Sequence, residues 1–218
     1  MLSDGSGGGG GGGALGEEGV VAEGADRPVS LRCWCAGCSS GEEPYTVQLG
    51  WHMAQLHGDL PGDCSLHTLA TDACPVVIRR CKKGEYSSTV QTMSDDEPSL
   101  GALPCGWLEE GFELAGAPAS GRYRVKPCIA SQVEFKVQDL RRQRPGGGLF
   151  QLILCRNAAF MYFDAASQLK AARKFAKRLV IGGILSIGIS ETLPEAAREL
   201  FEPVSLKLGF YRKVKEVL

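Results

Sequence analysis

The sequence has no surplus of charge of either sign. Its 218 residues include 24 Lys and Arg against 25 Asp and Glu, which leaves a formal net charge of -1. A protein that holds nucleic acid through its phosphates carries a strongly basic surface. The balance of charges therefore argues against a nucleic-acid-binding protein.

Long apolar runs and targeting signals are also missing. The longest apolar run, residues 179–189, is interrupted by Gly182, Gly183 and Ser186 and is too short to cross a bilayer. The N-terminus has neither the basic nor the apolar region of a secretory signal, and its acidic residues outnumber its single arginine, unlike an organelle transit peptide. We therefore expect a cytoplasmic protein without membrane insertion.

Paired cysteine motifs are scarce, although the chain contains nine cysteines. An odd number of cysteines without a secretion signal favours reduced thiols. Cys35 and Cys38 form a CxxC, but a structural zinc site needs a second ligand pair, and neither another CxxC nor an HxxxH occurs. We expect no metal site. The CxxC is either a redox pair or, as we favour, two small buried residues of a strand and its following turn.

Glycine, in contrast, is abundant, with 29 residues that include the unbroken run 7–13. Consecutive glycines lose too much backbone entropy on ordering to be fixed by so few side chains. Residues 1–28 are therefore predicted to be a disordered leader. Residues 29–218 have an ordinary globular composition and a length that suits one domain with a sizeable core.

Hydrophobic patterning in residues 29–218 predicts alternating strands and helices. The predicted elements are strands at 29–34 and 66–71, helices at 42–56 and 75–83, a mixed insert at 84–131, strands at 133–138 and 150–154, a helix at 166–179, a strand at 184–187 and a hairpin of 204–208 and 210–214. Such alternation favours an α/β fold with a mostly parallel sheet and helices on both faces. The closing hairpin implies an antiparallel strand at or near one edge.

Small or polar residues follow three of the predicted strands, where doubly wound sheets bind their ligands. The turn 37–41 follows the first strand, and Glu42 and Glu43 directly after it disfavour a phosphate and suit a cationic or neutral ligand. Asp72 ends the second strand, where an acid either caps a helix or accepts hydrogen bonds from ribose hydroxyls. Residues 155–157 close an apolar strand as a loop cap or as an active-site floor.

The predicted helix at 166–179 is basic on the side away from its apolar stripe. The cations on that side are Lys170, Arg173, Lys174, Lys177 and Arg178. They form either a solvated face or a docking surface for an acidic partner.

Several short motifs occur in the order in which they stand in one protein family. They are 36–45 (AGCSSGEEPY), 69–72 (LATD), 83–86 (KGEY), 123–125 (YRV), 133–135 (VEF), 152–157 (LILCRN), 162–164 (YFD) and 188–191 (GISE). Over about residues 29–215, the chain resembles the CheR-type protein-glutamate O-methyltransferases, which use S-adenosylmethionine (SAM). The resemblance implies a Rossmann-like class I SAM methyltransferase fold, with a mostly parallel doubly wound sheet and an antiparallel C-terminal strand.

The resemblance also implies which residues bind the methionine end of SAM. The turn that contains Gly37, Ser39 and Gly41 would hold it together with Glu43 or Glu42. A carboxylate at this place would face the ammonium and sulfonium charges of the cofactor. That assignment agrees with the ligand charge that the residues themselves favour.

The remaining implied contacts involve the ribose, the adenine and the methyl group. They are Asp72 on the ribose, Asp139 and Leu140 beside the adenine, and Asn157 and Ala158 near the methyl group. Asn157 and the neighbouring Tyr162 are the residues expected to act in catalysis.

The sequence departs from the family pattern at several points. Cys74 replaces the second acid of the motif A-T-D-I-D, and Asp139 stands where the family has Asn. Four residues, rather than three, separate Asn157 from Tyr162. The N-terminal helical domain of the family is expected to be absent, with the glycine-rich leader in its place.

The activity that the resemblance implies is methyl transfer from SAM to a carboxylate, namely a glutamate side chain of a protein partner. An ionised carboxylate is already nucleophilic, so catalysis rests on aligning it with the methyl group in a water-poor pocket. The absence of a histidine triad is consistent with this chemistry. Two alternatives stay open: a SAM-dependent methyltransferase with a different acceptor, and a catalytically silent SAM-binding or interaction module.

Overall fold

Within residues 29–88, 100, 103–142 and 146–217, which the computed structural model describes, the chain folds around a seven-stranded sheet. The strands are β1 (Ser30–Ala36), β2 (Ser65–Asp72), β3 (Glu85–Ser87), β4 (Phe112–Leu114), β5 (Arg122–Val125), β6 (Val133–Val137), β7 (Phe150–Cys155), β8 (Leu179–Ile187), β9 (Phe201–Ser205) and β10 (Phe210–Lys213). The helices are α1 (Glu42–Leu56), α2 (Pro75–Cys81), α3 (Trp107–Gly111), α4 (Pro127–Ala130), α5 (Ala159–Tyr162) and α6 (Ala165–Ala176), with 3-10 helices at Pro118–Ser120, Glu195–Leu200 and Leu206–Leu208. The predicted leader, 1–28, lies outside the described residues.

The strands of the large sheet follow the order β6-β2-β1-β7-β8-β10-β9. The first five of these run parallel, and β10 is antiparallel to both β8 and β9. The direction of winding reverses between β1 and β7, which makes the carboxyl ends of these two strands the switch point of the sheet. The order confirms the expected Rossmann-like, mostly parallel doubly wound sheet with an antiparallel C-terminal strand.

The two faces of the sheet bury separate cores because side chains alternate along each strand. On β1, Trp34 points to one face and packs on Phe175 of α6, with ring centroids 5.3 Å apart in an edge-on arrangement. Cys33 and Cys35 point to the other face and join a cluster that includes Leu49 of α1. Helices therefore cover both faces, and this explains why β1 and β7 are almost wholly apolar.

The long helices begin and end at recognisable signals. Helix α1 spans the predicted residues, with Glu42 and Glu43 in its first turn. Helix α6 begins after Asp164, whose carboxylate accepts a hydrogen bond from the Ser167 backbone N–H at 2.9 Å, as an N-cap does. No helix among the described residues combines the length and the apolarity that a membrane span requires.

The predictions for the segment 166–187 were wrong in two respects. Helix α6 ends at Ala176, whereas Leu179 was expected to be helical and instead begins β8. Leu179 fits the helical period but is buried as the first residue of β8. An apolar residue is expected in either place, so its hydrophobicity could not distinguish the end of the helix from the start of the strand. Gly182 and Gly183 were expected to break the chain, yet they form a bulge within β8, where Gly182 takes a φ of 79° and the register against β7 shifts.

The described part of the insert 84–131 contains a small antiparallel sheet of order β3-β5-β4, which the sequence did not predict. Aromatic packing joins it to the main body: Tyr86 of β3 lies edge-on to Tyr45 of α1 and to Phe112 of β4, at centroid distances of 6.1 and 6.4 Å. The Tyr86 hydroxyl donates to the Ser40 carbonyl at 3.2 Å. The small sheet thus stabilises the turn after β1, where the predicted site begins.

Candidate functional site

The turn after β1 folds tightly over the end of β2. Gly37, Ser39 and Gly41 have positive φ angles of 87°, 45° and 92°. The backbone N–H of Gly37 donates to the Thr71 carbonyl at 2.8 Å, which fixes the turn against the neighbouring strand. Glycine is required at position 37 because of its φ and because a Cβ there would lie 2.9 Å from the Cβ of Ala158.

Asp72 connects the turn after β1 with the loop after β2. Its carboxylate accepts hydrogen bonds from the backbone N–H groups of Ser39, at 3.1 Å, and of Cys74, at 2.9 Å. The N-cap of α2 is Cys74, and no side chain caps that helix, so the alternative of Asp72 as a helix cap is wrong. Each carboxylate oxygen has two lone pairs, so Asp72 keeps acceptor capacity for a ligand.

The loop after β7 is held by a buried acid that sequence reasoning did not single out. Glu191 is 6% exposed, and its Oε2 accepts hydrogen bonds from the backbone N–H of Asn157 at 2.9 Å and of Gly188 at 2.5 Å. These bonds join the loops after β7 and β8. They also support Asn157 in the left-handed region, at a φ of 50°.

A cleft of roughly 160 Å³ lies at the carboxyl ends of these strands. The residues that line it are Gly37, Asp72, Ala73, Gln138, Asp139, Leu140, Arg141, Ala158, Tyr162 and Phe163. The cleft brings together six of the residues expected to bind or act on a cofactor, and Asn157 directly precedes Ala158. Tyr162, at the end of the short helix α5, is 75% exposed and lies at the rim.

A larger cavity of about 770 Å³ lies elsewhere, along α6. Apart from Arg141, it shares no residue with the cleft, and it holds none of the predicted site residues. We assign the candidate site to the smaller cleft because the cleft lies at the switch point of the sheet, where this type of fold binds its ligands.

The residues after β6 form one side of the cleft. Asp139 accepts hydrogen bonds from the backbone N–H, Nε and Nη2 of Arg141 at 2.9, 3.1 and 3.0 Å, and these bonds hold the pKa of its carboxyl below the usual range. Leu140 is buried and presents an apolar wall. Gln138 is 6% exposed, and its Nε2 has no hydrogen-bond partner among the described residues.

The two acids at the start of α1 lie in different surroundings. Glu43 pairs with Arg156 at 3.6 Å; desolvation raises the pKa of Glu43, and the Arg156 charge opposes this rise. Glu42 accepts from the Ser40 hydroxyl at 2.7 and 2.8 Å and lines a separate apolar slot beside Tyr86. Glu43 is therefore a desolvated acid near the carboxyl ends of β1 and β7, and neither Glu43 nor Glu42 lines the cleft itself. The expected residues Ser39, Gly41 and Asn157 also lie outside its lining.

Sequence reasoning assigned no role of their own to three residues of this region, Gln138, Arg156 and Glu191, although Arg156 belongs to the candidate segment 155–157. Each follows a strand of the main sheet closely, and Arg156 and Glu191 even lie within motifs that carried the resemblance. Their position was a usable signal. Their partners, however, are far away in the sequence, so only the fold shows what they hold.

The cysteines are unpaired. All nine are free, and Cys35 and Cys38 are both buried. A hydrogen bond with Cys33 and burial raise the pKa of the Cys35 thiol well above its ordinary value. Reactive thiols are accessible and have lowered pKa values, so the structure favours the buried, structural interpretation of the CxxC. Among the described residues, no group of His, Cys, Asp or Glu side chains is placed to hold a metal ion.

The groups around the cleft match the chemical parts of SAM. Asp72 offers acceptor oxygens for ribose hydroxyls, and the buried Leu140 suits the apolar face of a base. Gln138 contributes a buried side-chain amide whose Nε2 has no partner in the described part of the chain. The desolvated carboxyl of Glu43 suits a cationic end. The donor set therefore fits the cofactor that the resemblance implies.

Comparisons with known proteins identify the family of this chain. The model of the family described as "CheR methyltransferase, SAM binding domain" matches residues 17–210. A chemotaxis protein methyltransferase of Listeria monocytogenes is 34% identical over 164 residues, which are 75% of this chain and 54% of that protein. Chemotaxis protein methyltransferase Cher2 of Pseudomonas putida is 31% identical over 164 residues, or 75% of this chain and 55% of that protein.

The chain thus spans about half the length of these curated relatives. Among solved structures, a TehB-like SAM-dependent methyltransferase from Corynebacterium glutamicum is 14% identical, and the match covers 87% of this chain and 83% of that chain with a TM-score of 0.46. The family assignment rests on the matched range 17–210, which is most of the chain. The chain belongs to the CheR methyltransferase family and carries its SAM-binding domain.

Proposed function

We propose that this protein transfers a methyl group from SAM to a carboxylate, namely the side chain of a glutamate in a protein substrate. The observation that carries the proposal is the cleft at the switch point, where Gly37, Asp72, Leu140, Ala158 and Tyr162 line one concave surface. The catalytic unit would span residues 29–218. The nine free cysteines favour a reducing compartment, which supports a cytoplasmic location.

The proposed cofactor contacts are those that the resemblance implies, and the geometry supports them. Asp72, held by two backbone N–H groups, would accept hydrogen bonds from the ribose, and Asp139 and Leu140 would flank the adenine. Glu43 would face the cationic methionine end. Because Gly37 has no Cβ, the cofactor could approach the backbone of the turn closely. The turn is already so close to Ala158 that a Cβ at position 37 would lie 2.9 Å from the Ala158 Cβ.

The chemistry asks for alignment rather than for a strong base. When bound, SAM would supply a methyl group activated by the adjacent sulfonium. A carboxylate oxygen would bond to the methyl carbon without losing a proton, while the C–S bond breaks and a neutral thioether leaves. A glutamate is ionised at neutral pH, with an ordinary pKa of about 4.3. Asn157 and Tyr162 would orient the acceptor, since the loop of Asn157 is fixed by Glu191 and Tyr162 lies at the open rim.

The openness of the rim supports a macromolecular acceptor. Tyr162 is 75% exposed and Ile189, which follows β8, is 71% exposed, so the catalytic end of the cleft faces outward. A small acceptor is usually enclosed by its enzyme, whereas a glutamate on a protein surface has to reach the cleft from outside. The names of the relatives, chemotaxis protein methyltransferases, agree with a protein acceptor.

Incorporation of methyl-labelled SAM into protein tests this proposal. Purified protein is incubated with bacterial lysate, and the labelled product is then treated with mild base. Methyl esters hydrolyse, so base-labile label that requires Asn157 and Tyr162 supports a carboxylate acceptor. Base-stable label would instead identify a different acceptor, and SAM binding without any transfer would identify a silent binding module.

A further inference from the structure

A deep groove runs along α6, and neither the cofactor nor the proposed acceptor accounts for it. Its volume is about 770 Å³, larger than that of the cleft at the switch point. Its walls are α6, the loop after β6, the 3-10 helix Glu195–Leu200 and the C-terminal segment. The lining residues are Arg141, Arg142, Ala166, Leu169, Lys170, Arg173, Lys174, Lys177, Glu199, Leu200, Lys215, Glu216 and Val217.

The charge of the groove is strongly one-sided, unlike that of the whole chain. Seven of its lining residues are Lys or Arg, and two are Glu. Both acids are already paired, Glu199 with Lys215 at 3.3 Å and Glu216 with Lys213 at 2.9 Å. Among the described residues, the groove cations that make no ion pair or hydrogen bond are Lys170, Arg173 and Lys177. These three lie on one side of α6, at a spacing of three to four residues.

The floor of the groove is apolar. Leu169 and Val217 are partly buried and pack against the main core cluster, and Leu200 belongs to that cluster with 5% of its surface exposed. A groove that only attracted counterions would need no such floor. Apolar side chains below a basic wall suit a ligand that carries both carboxylates and apolar groups.

We propose that this groove is a docking site for an acidic peptide segment of a partner protein, with Asp or Glu residues against α6 and apolar side chains on the floor. Charge complementarity argues for this occupant, because the groove offers unpaired cations in a defined row. A nucleic acid fits less well: the overall net charge is -1, and Glu199 and Glu216 lie in the wall that a continuous phosphate backbone would follow.

The groove is distinct from the candidate site but adjoins it. Arg141 lines both, and its guanidinium pairs with Asp139 in the cleft. A partner held in the groove would therefore lie beside the cleft. The groove lies outside the proposed cofactor contacts, so the proposal holds whether or not the acceptor is a protein glutamate.

Fluorescence anisotropy with designed probes tests the proposal. One labelled peptide is Glu-rich with Leu at every third position, a second has Ser in place of Leu, and a third probe is single-stranded DNA of the same net charge. The groove variant combines Arg173→Glu and Lys177→Glu. The matched control, with the same change in net charge, combines Lys82→Glu and Lys83→Glu, at exposed lysines after α2 outside the groove. Thermal unfolding confirms that each variant is folded.

We expect the Glu/Leu peptide to bind saturably to the unchanged protein. The dissociation constant should be higher by roughly tenfold or more in the groove variant, and it should rise with ionic strength. The control variant Lys82→Glu, Lys83→Glu should bind the Glu/Leu peptide like the unchanged protein, and the Ser peptide should bind the unchanged protein more weakly. Absence of saturable binding would overturn the proposal. So would equal losses in the groove and control variants, or DNA binding as tight as that of the Glu/Leu peptide.

Discussion

Replacement of Glu191 should damage both the stability of the fold and the cofactor site. Its Oε2 is the shared acceptor for the backbone N–H groups of Asn157 and Gly188. In Glu191→Ala, both donors lose that partner. An unsatisfied buried donor costs about 1–3 kcal/mol, and the Asn157 donor is partly accessible to water, so we expect a loss of about 2–4 kcal/mol in the free energy of unfolding.

The variant Glu191→Gln separates the hydrogen bonds from the charge. Its amide oxygen can still accept from Asn157 and Gly188, and its NH₂ group would occupy the place of Oε1, which has no hydrogen-bond partner among the described residues. We expect Gln to restore most of the stability that Ala loses. Glu202→Ala serves as the matched control: this acid is half exposed in a surface pair with Arg212, and its loss should cost less than about 1 kcal/mol.

Urea unfolding of the three variants measures these differences, and calorimetric titration with SAM measures the effect on the site. The conformation of the loop that contains Asn157 depends on its hydrogen bond to Glu191. The folded molecules of Glu191→Ala should therefore bind SAM more weakly than the unchanged protein does, beyond any loss caused by unfolded molecules. If Glu191→Ala unfolded at the same urea concentration as Glu202→Ala, the role of this acid as the clamp between the two loops would be refuted.

Three further predictions concern the turn, the acid beside it and the thiols. Gly37→Ala should lower the free energy of unfolding by about 2 kcal/mol and weaken SAM binding, because position 37 needs a positive φ and has no room for a Cβ. In the same urea unfolding experiment the control Gly62→Ala should be nearly neutral, because nothing lies within 4 Å of the added Cβ. Desolvation raises the pKa of the Glu43 carboxyl, so the contribution of Glu43 to stability is fully present below its unfolded-state pKa and is lost as the pH rises through its folded-state pKa. Glu43→Gln should therefore melt at a higher temperature than the unchanged protein at neutral pH. An equal increase in melting temperature at pH 3 would contradict this account. Ellman's reagent should react rapidly with the exposed thiols and slowly with the buried ones, so rapid labelling of all nine cysteines in the native protein would be incompatible with the structure. The thiols expected to react rapidly are Cys74, Cys105 and Cys128.

The sequence predicted the elements whose ends carry strong chemical signals. Helix α1 was located by a glycine turn and two acids in its first turn, and β10 by the turn at Gly209 before it. The other strand of the predicted hairpin, 204–208, was largely wrong, because β9 is Phe201–Ser205 and Leu206–Leu208 form a 3-10 helix. The small sheet of the insert 84–131 was not predicted, because its strands have only three or four residues and because β3 pairs with β5 across a long stretch of sequence. Strands this short have too few residues to show a clear period.

The candidate site shows the same division between local and long-range information. Residues that end strands, such as Asp72, were predicted because the fold class itself brings strand ends together. Glu191 was not predicted, since its function depends on backbone groups that only the fold brings within reach. A role for Asp139 was expected from the resemblance, but its ion pair with Arg141 was not. Whether two side chains two residues apart in a loop can meet depends on the backbone geometry of that loop, which the sequence does not show.

Calorimetric titration with SAM tests the central claim most directly. The account predicts saturable binding at one site per chain and a clear loss of affinity in Asp72→Ala, because Asp72 lies in the cleft between the ends of β1 and β2 and would accept hydrogen bonds from the ribose. A matched Asp63→Ala variant, at an exposed acid outside the cleft, should bind like the unchanged protein. No binding by folded protein, or an Asp72→Ala variant with unchanged affinity, would contradict the account.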